Sequence, residues 1–128
     1  MPPLPWTTIS TPDPSRTYVA FATELPLTRH RHVPGFLRDT LRVRRQLADA
    51  PGLVGYSLLA RLGAKTFCTV SVWEDEQALR AFAAAEPHRS ITRRSPGRMG
   101  ASRFETFAVA GTDVPLDWAD VRRRLASA

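Results

Sequence analysis

The chain has 128 residues, with 18 Lys and Arg against 12 Asp and Glu and 43% hydrophobic residues, which suits one soluble domain around one modest core. No apolar run approaches the roughly 20 residues that span a membrane, and the opening Met1-Pro2-Pro3-Leu4-Pro5-Trp6 has neither the basic start nor the apolar run of a secretory leader. The single Cys68 excludes an internal disulfide framework and a multi-cysteine zinc site.

These features point to a cytoplasmic protein. The basic balance raises nucleic acid as a partner, but the arginines are scattered and alternate with carboxylates, as in Asp120-Val121-Arg122. With no zinc finger and no aromatic RNP-type strand, nucleic acid is not the expected partner.

Residues 1–16 carry five of the eleven prolines and no periodicity, so they are predicted to form an extended arm packed through Trp6 and Ile9. Thr17 to Leu25 alternates as a strand, and Pro26 to His32 is a loop holding Arg29-His30-Arg31-His32. That loop lacks a third metal ligand. Val33 to Asp49 is a long helix stopped by Pro51-Gly52. Leu53 to Arg61 and Lys65 to Trp73 form a hairpin about Gly63-Ala64. Asp75 to Ala85 is a helix with acidic residues in its first turn, where the helix dipole favours them. Pro87 restarts a short helix to about Arg94. Ala101 to Ala110 is the fourth strand, and Asp113 to Leu125 a closing helix with Pro115 near its start.

The order is β-α-β-β-α-β plus a terminal helix, an α+β ferredoxin-like arrangement with a four-stranded antiparallel sheet. Residues 17–128 form a single domain. Helices are expected on one sheet face, with nothing but the arm for the other. An open apolar face suggests a homodimer packed sheet to sheet.

Two residues stand out for chemistry. His88, Ile91, Thr92 and Ser95 share a helix face, so His88 is expected to follow Ile91 inward, as a general base or a haem ligand. The competing structural role is a bond to a backbone carbonyl or Glu86 that holds the helix break. On a wheel of the long helix, Arg44 falls mid-way across an apolar arc from Phe36, Thr40, Val43 and Leu47 to Leu37, Leu41 and Ala48. An arginine there is expected to hold an anionic substrate, or to pair with Glu105 or Glu24. Trp73 and Tyr56 suit stacking on an aromatic molecule. Strand parity separates Phe67, Thr69, Ser71 and Trp73 from Cys68, Val70 and Val72 without saying which set meets the helices. Cys68 reads as an inert buried thiol.

The run Lys65 to Trp73, then Ala78-Leu79, Phe82, Pro87-His88, Met99 and Ser102-Arg103-Phe104, resembles the dimeric α/β-barrel superfamily, in the branch of antibiotic-biosynthesis and spheroidene-monooxygenase-like proteins. The resemblance covers about residues 17–109. It implies dimers of ferredoxin-like subunits, each with a pocket between helices and sheet, here lined by Trp73, Tyr56, Phe36, Thr40, Phe82 and Ile91. The chain contains no asparagine, so the Asn-Trp-Tyr arrangement of the anthrone-oxidising members is matched at Trp73 alone.

The expected function is a monooxygenase-like enzyme of secondary metabolism acting on a hydrophobic aromatic or polyketide-like molecule. His88 would take a proton and Arg44 would stabilise the anion, with no cofactor. Alternatives are haem binding with His88 as axial ligand, polyketide cyclisation, and a non-catalytic ligand-binding dimer.

Overall fold

The computed structural model describes residues 6–61, 64–94 and 97–127. Residues 1–5 of the arm, Gly63 of the predicted turn and Ser95 of the predicted His88 face lie outside the described residues. The strands are β1 (Thr7–Thr8), β2 (Thr17–Pro26), β3 (Leu53–Arg61), β4 (Thr66–Trp73) and β5 (Arg103–Ala110). The helices are α1 (Val33–Ala48), α2 (Glu76–Ala84), α3 (His88–Arg94) and α4 (Trp118–Ala126).

The sheet is antiparallel in the order β1-β3-β4-β2-β5. Its last four strands make the ferredoxin-like core read from the sequence. The expected four-strand count is corrected to five. The arm adds Thr7 and Thr8 opposite Tyr56 and Gly55, because the β3 edge leaves backbone groups that need partners. The close approach needs Gly55. A Cβ there would lie 2.5 Å from Trp6 Nε1, so the arm's tryptophan fills the space that a side chain would take.

Two helices start where an aspartate side chain satisfies a free amide. The Asp75 side chain accepts from the Ala78 amide at 2.8 Å and begins α2. The Asp117 side chain accepts from the Ala119 amide at 3.1 Å and begins α4. The closing helix was expected from Asp113. Instead Gly111–Asp113 forms a 3-10 turn and Val114 is extended, as the residue before a proline prefers.

Parity becomes definite in three dimensions. Phe67 meets Phe36 of α1 with ring centroids 4.3 Å apart, and Trp73 meets Phe82 of α2 at 5.2 Å. Phe67, Thr69, Ser71 and Trp73 therefore face α1 and α2. The opposite face carries Ala20, Ala22, Val70 and Val72, all at most 1% exposed. The expectation that this face lies open is corrected. Val121 and Leu125 of α4 pack on Ala22 and Val70, with Trp6, Leu116 and Trp118 around them. Trp118 Nε1 donates to Ser57 Oγ at 3.2 Å, and the Arg124 guanidinium lies 4.1 Å from the Phe107 ring centroid. The open-face argument for a homodimer falls with that finding. Among the described residues no helix is long and apolar enough to cross a membrane.

Candidate active site

The layer between the sheet and the first three helices has a packed end and a polar middle. At the packed end Trp73 is 1% exposed among Leu47, Leu53 and Phe82, with Val43 and Tyr56 against them. The Trp73 indole donates to Ser71 Oγ at 2.8 Å, so this ring is both buried and pinned. Of the residues expected to line a pocket, Trp73 and Phe82 are core, and Tyr56 is half-buried beside them. Phe36 is half-buried on Phe67. Thr40 is half-buried and donates to the Phe36 carbonyl at 2.8 Å, which uses its hydroxyl proton within the helix. Ile91 is half-buried on α3.

His88 sits at the start of α3. Pro87 and an extended Ala85 separate it from α2. Its backbone amide donates to Gln46 Oε1 at 3.0 Å, and its ring lies 5.2 Å from the Phe82 ring. Nδ1 is 3.1 Å from the Ala83 carbonyl oxygen. A carbonyl only accepts, so Nδ1 carries the proton and Nε2 keeps the lone pair. The carbonyl bond weighed for His88 from the sequence is thus present. It fixes a tautomer whose free nitrogen is basic.

Arg44 does not join His88. It is exposed on α1, and the expectation of a central inward arginine is corrected. The inward arc of α1 runs through Asp39, Thr40, Val43 and Leu47, whereas Leu37 and Leu41 are 40% and 55% exposed. The apolar arc on the wheel is wider than the helix contact. The structure uses only one half of it, and Arg44 lies with the other half.

Two features escaped the wheel and the parity reading. Asp39 is 8% exposed, a carboxylate turned into the layer. On the helix-facing side of the sheet, Thr23 and Thr69, paired across β2 and β4, share a hydroxyl hydrogen bond of 2.5 Å. Thr23 is 5% exposed.

The second missed feature is an aromatic platform. Phe21 and Phe104 stack with centroids 6.1 Å apart and planes 10° off parallel. Both lie on the helix-facing parity, yet Phe104 is 56% exposed, because α1 and α2 lean on the β4 side and leave β5 uncovered. The pairing of Phe104 with Thr23 was the available signal, since it sets Phe104 diagonal to Phe21. Among the described residues no group of three or more His, Cys, Asp or Glu side chains could hold a metal ion, and His30 and His32 lie in a 3-10 turn before α1.

A family model described as antibiotic biosynthesis monooxygenase matches residues 28–94. No curated protein matches the sequence. Among solved structures, a variant of SnoaB, a cofactor-independent oxygenase from Streptomyces nogalater, is 20% identical, with 77% of this chain and 97% of SnoaB covered at a TM-score of 0.61. PA3566 from Pseudomonas aeruginosa is 15% identical over 73% of this chain and 94% of its own, at 0.64. A conserved protein from Methanosarcina mazei Go1 is 12% identical over 73% and 93%, also at 0.64. At these identities the likeness is one of fold.

Proposed function

The chain belongs to the antibiotic biosynthesis monooxygenase family, and from that premise we propose that it is a monooxygenase-like enzyme acting on a hydrophobic, polycyclic aromatic small molecule. The substrate lies in the helix-side layer, its rings against the Phe21–Phe104 platform. His88 Nε2 takes a proton from a phenol or an acidic ring carbon. Whichever of the Thr23 and Thr69 hydroxyls keeps its proton out of their mutual bond donates it to the oxygen on which negative charge gathers. The electron-rich anion gives an electron pair to dioxygen at a ring carbon, the resulting peroxide takes back the proton held by His88, and loss of water leaves a carbonyl there, so one oxygen atom enters the product and the other leaves as water. The likeness to the cofactor-independent SnoaB supports a reaction with no resident cofactor.

One observation carries this reading: the Ala83 carbonyl lies 3.1 Å from Nδ1, which supports a tautomer with the lone pair on Nε2.

The test is dioxygen uptake with polycyclic phenols by the full chain. His88→Asn is expected to lower turnover about 10²- to 10⁴-fold with an unchanged denaturation midpoint within experimental scatter. Arg44→Gln, on the outer side of α1, is expected to leave turnover within about twofold. Parent-like turnover in His88→Asn would overturn the assignment. The 8% exposure of Asp39 favours a second reading, with this carboxylate as the base. Loss of turnover in Asp39→Asn with retention in His88→Asn would select it.

A further inference from the structure

The sheet face away from the candidate active site carries its own cavity. A space of about 400 Å³ lies between α4 and the ends of β3, β4 and β5. Its floor is Cys68 with Leu125, and its rim holds Arg61, Arg103, Arg122 and Arg123 against a single carboxylate, Glu24. The fold assembles this cluster from five separate elements, β2, β3, β4, β5 and α4. Glu24 pairs with Cys68 on one side and Arg103 on the other, and α4 lays Arg122 and Arg123 across them.

The four guanidiniums are not equivalent. Arg103 meets Glu24 at 3.6 Å and donates to the Leu125 carbonyl at 3.5 Å. Arg123 meets Asp120 at 2.9 Å. Arg61 and Arg122 enter no ion pair among the described residues. Both act electrostatically on the same floor atom. Burial and the Glu24 charge push the Cys68 thiol up, while Arg122 and Arg61 pull it down. Arg61 and Arg122, without an ion pair among the described residues, thus line one cavity together with the buried Cys68 and Leu125.

A guanidinium presents a planar fork of donors that matches a phosphate edge. Two free forks suit a dianion better than a single carboxylate. The volume lies in the range of small-molecule sites and exceeds the need of a bare phosphate. We propose that this cavity binds a compact organic phosphate monoester, its phosphate between Arg61 and Arg122 and its apolar body over Cys68 and Leu125. The Arg103–Glu24 pair closes the inner wall, and its carboxylate repels a second anionic group, so the ligand carries one phosphate.

Calorimetric titration of the full chain with phenyl phosphate, phenyl sulfate and inorganic phosphate tests the site. Phenyl phosphate is expected to bind saturably and to slow alkylation of Cys68 by a neutral thiol reagent. Phenyl sulfate, with one charge, and inorganic phosphate, with no apolar body, are each expected to bind about tenfold more weakly or worse. Arg61→Gln and Arg122→Gln are each expected to weaken phenyl phosphate about tenfold. Both positions are exposed, and denaturation midpoints confirm that the fold is kept. Arg44→Gln is expected to change nothing. The proposal is overturned if phenyl phosphate does not saturate, if its affinity survives both substitutions, if Cys68 reacts equally fast with and without it, or if phenyl sulfate binds as well.

Discussion

Gln46 Oε1 accepts the backbone amide of His88 at 3.0 Å, while Nε2 of the same side chain donates to the Phe82 carbonyl at 3.1 Å. One amide of α1 thereby satisfies the end of α2 and the start of α3, where Pro87 interrupts the helical ladder. The break needs such a partner, because helix termini leave backbone groups without intrahelical bonds. The same bonds set the His88 backbone and so the place of its ring on Phe82.

Gln46→Leu keeps much of the bulk and removes both bonds. It is expected to destabilise the fold by about 1–3 kcal/mol, the cost of leaving part-buried polar groups unmet. Urea denaturation measures the loss. Turnover is expected to fall as well, since the imidazole loses its anchor. A midpoint equal to the parent would show that water replaces Gln46 at no cost.

The Thr23–Thr69 hydroxyl bond predicts strong coupling. Thr23→Val alone leaves the half-buried Thr69 hydroxyl without its partner and is expected to cost about 1–3 kcal/mol. Thr69→Val behaves alike. The double substitution removes both hydroxyls at nearly constant shape, so its cost is expected to fall short of the sum by about 0.5 kcal/mol or more. A double-mutant cycle in urea gives the number, and strict additivity would contradict the bond.

Cys68 predicts a stability loss in alkali. Burial, then the Glu24 charge, raises its thiol above the ordinary value of 9.0, with Arg122 and Arg61 offsetting part of that. The fold favours the neutral thiol. The resulting stability is present below the unfolded thiol's pKa and is lost as pH rises through the higher folded value. Cys68→Ala is therefore expected to lose less stability than the parent between about pH 8 and 10.5. Equal losses, read from urea midpoints across that range, would argue against the raised value.

The elements were legible because each carries a local signal. Alternation marks β2 to β5, Asp75 caps α2, and Pro87 separates α2 from α3. Pro115 suits a first-turn position and so signals an earlier start for α4, whereas Asp117 supplies the cap. Helix facing was less legible. The apolar residues of α1 span more of its circumference than one sheet contact can cover, so periodicity alone left Arg44 and Asp39 undecided. Leu37 and Leu41 carry the apolar signal of core residues and are exposed all the same.

What the sequence by itself determined is the order of strands and helices and the ferredoxin-like class, since local periodicity, capping and turn residues act over a few positions. What the tertiary structure alone decided is which face each element turns inward. It placed α4 and Trp6 over the far side of the sheet, sent Arg44 outward and Asp39 inward, and stacked Phe21 on Phe104. Those outcomes depend on contacts between residues distant in the chain, where burial of one surface competes with burial of another, and no short-range pattern encodes the result of that competition.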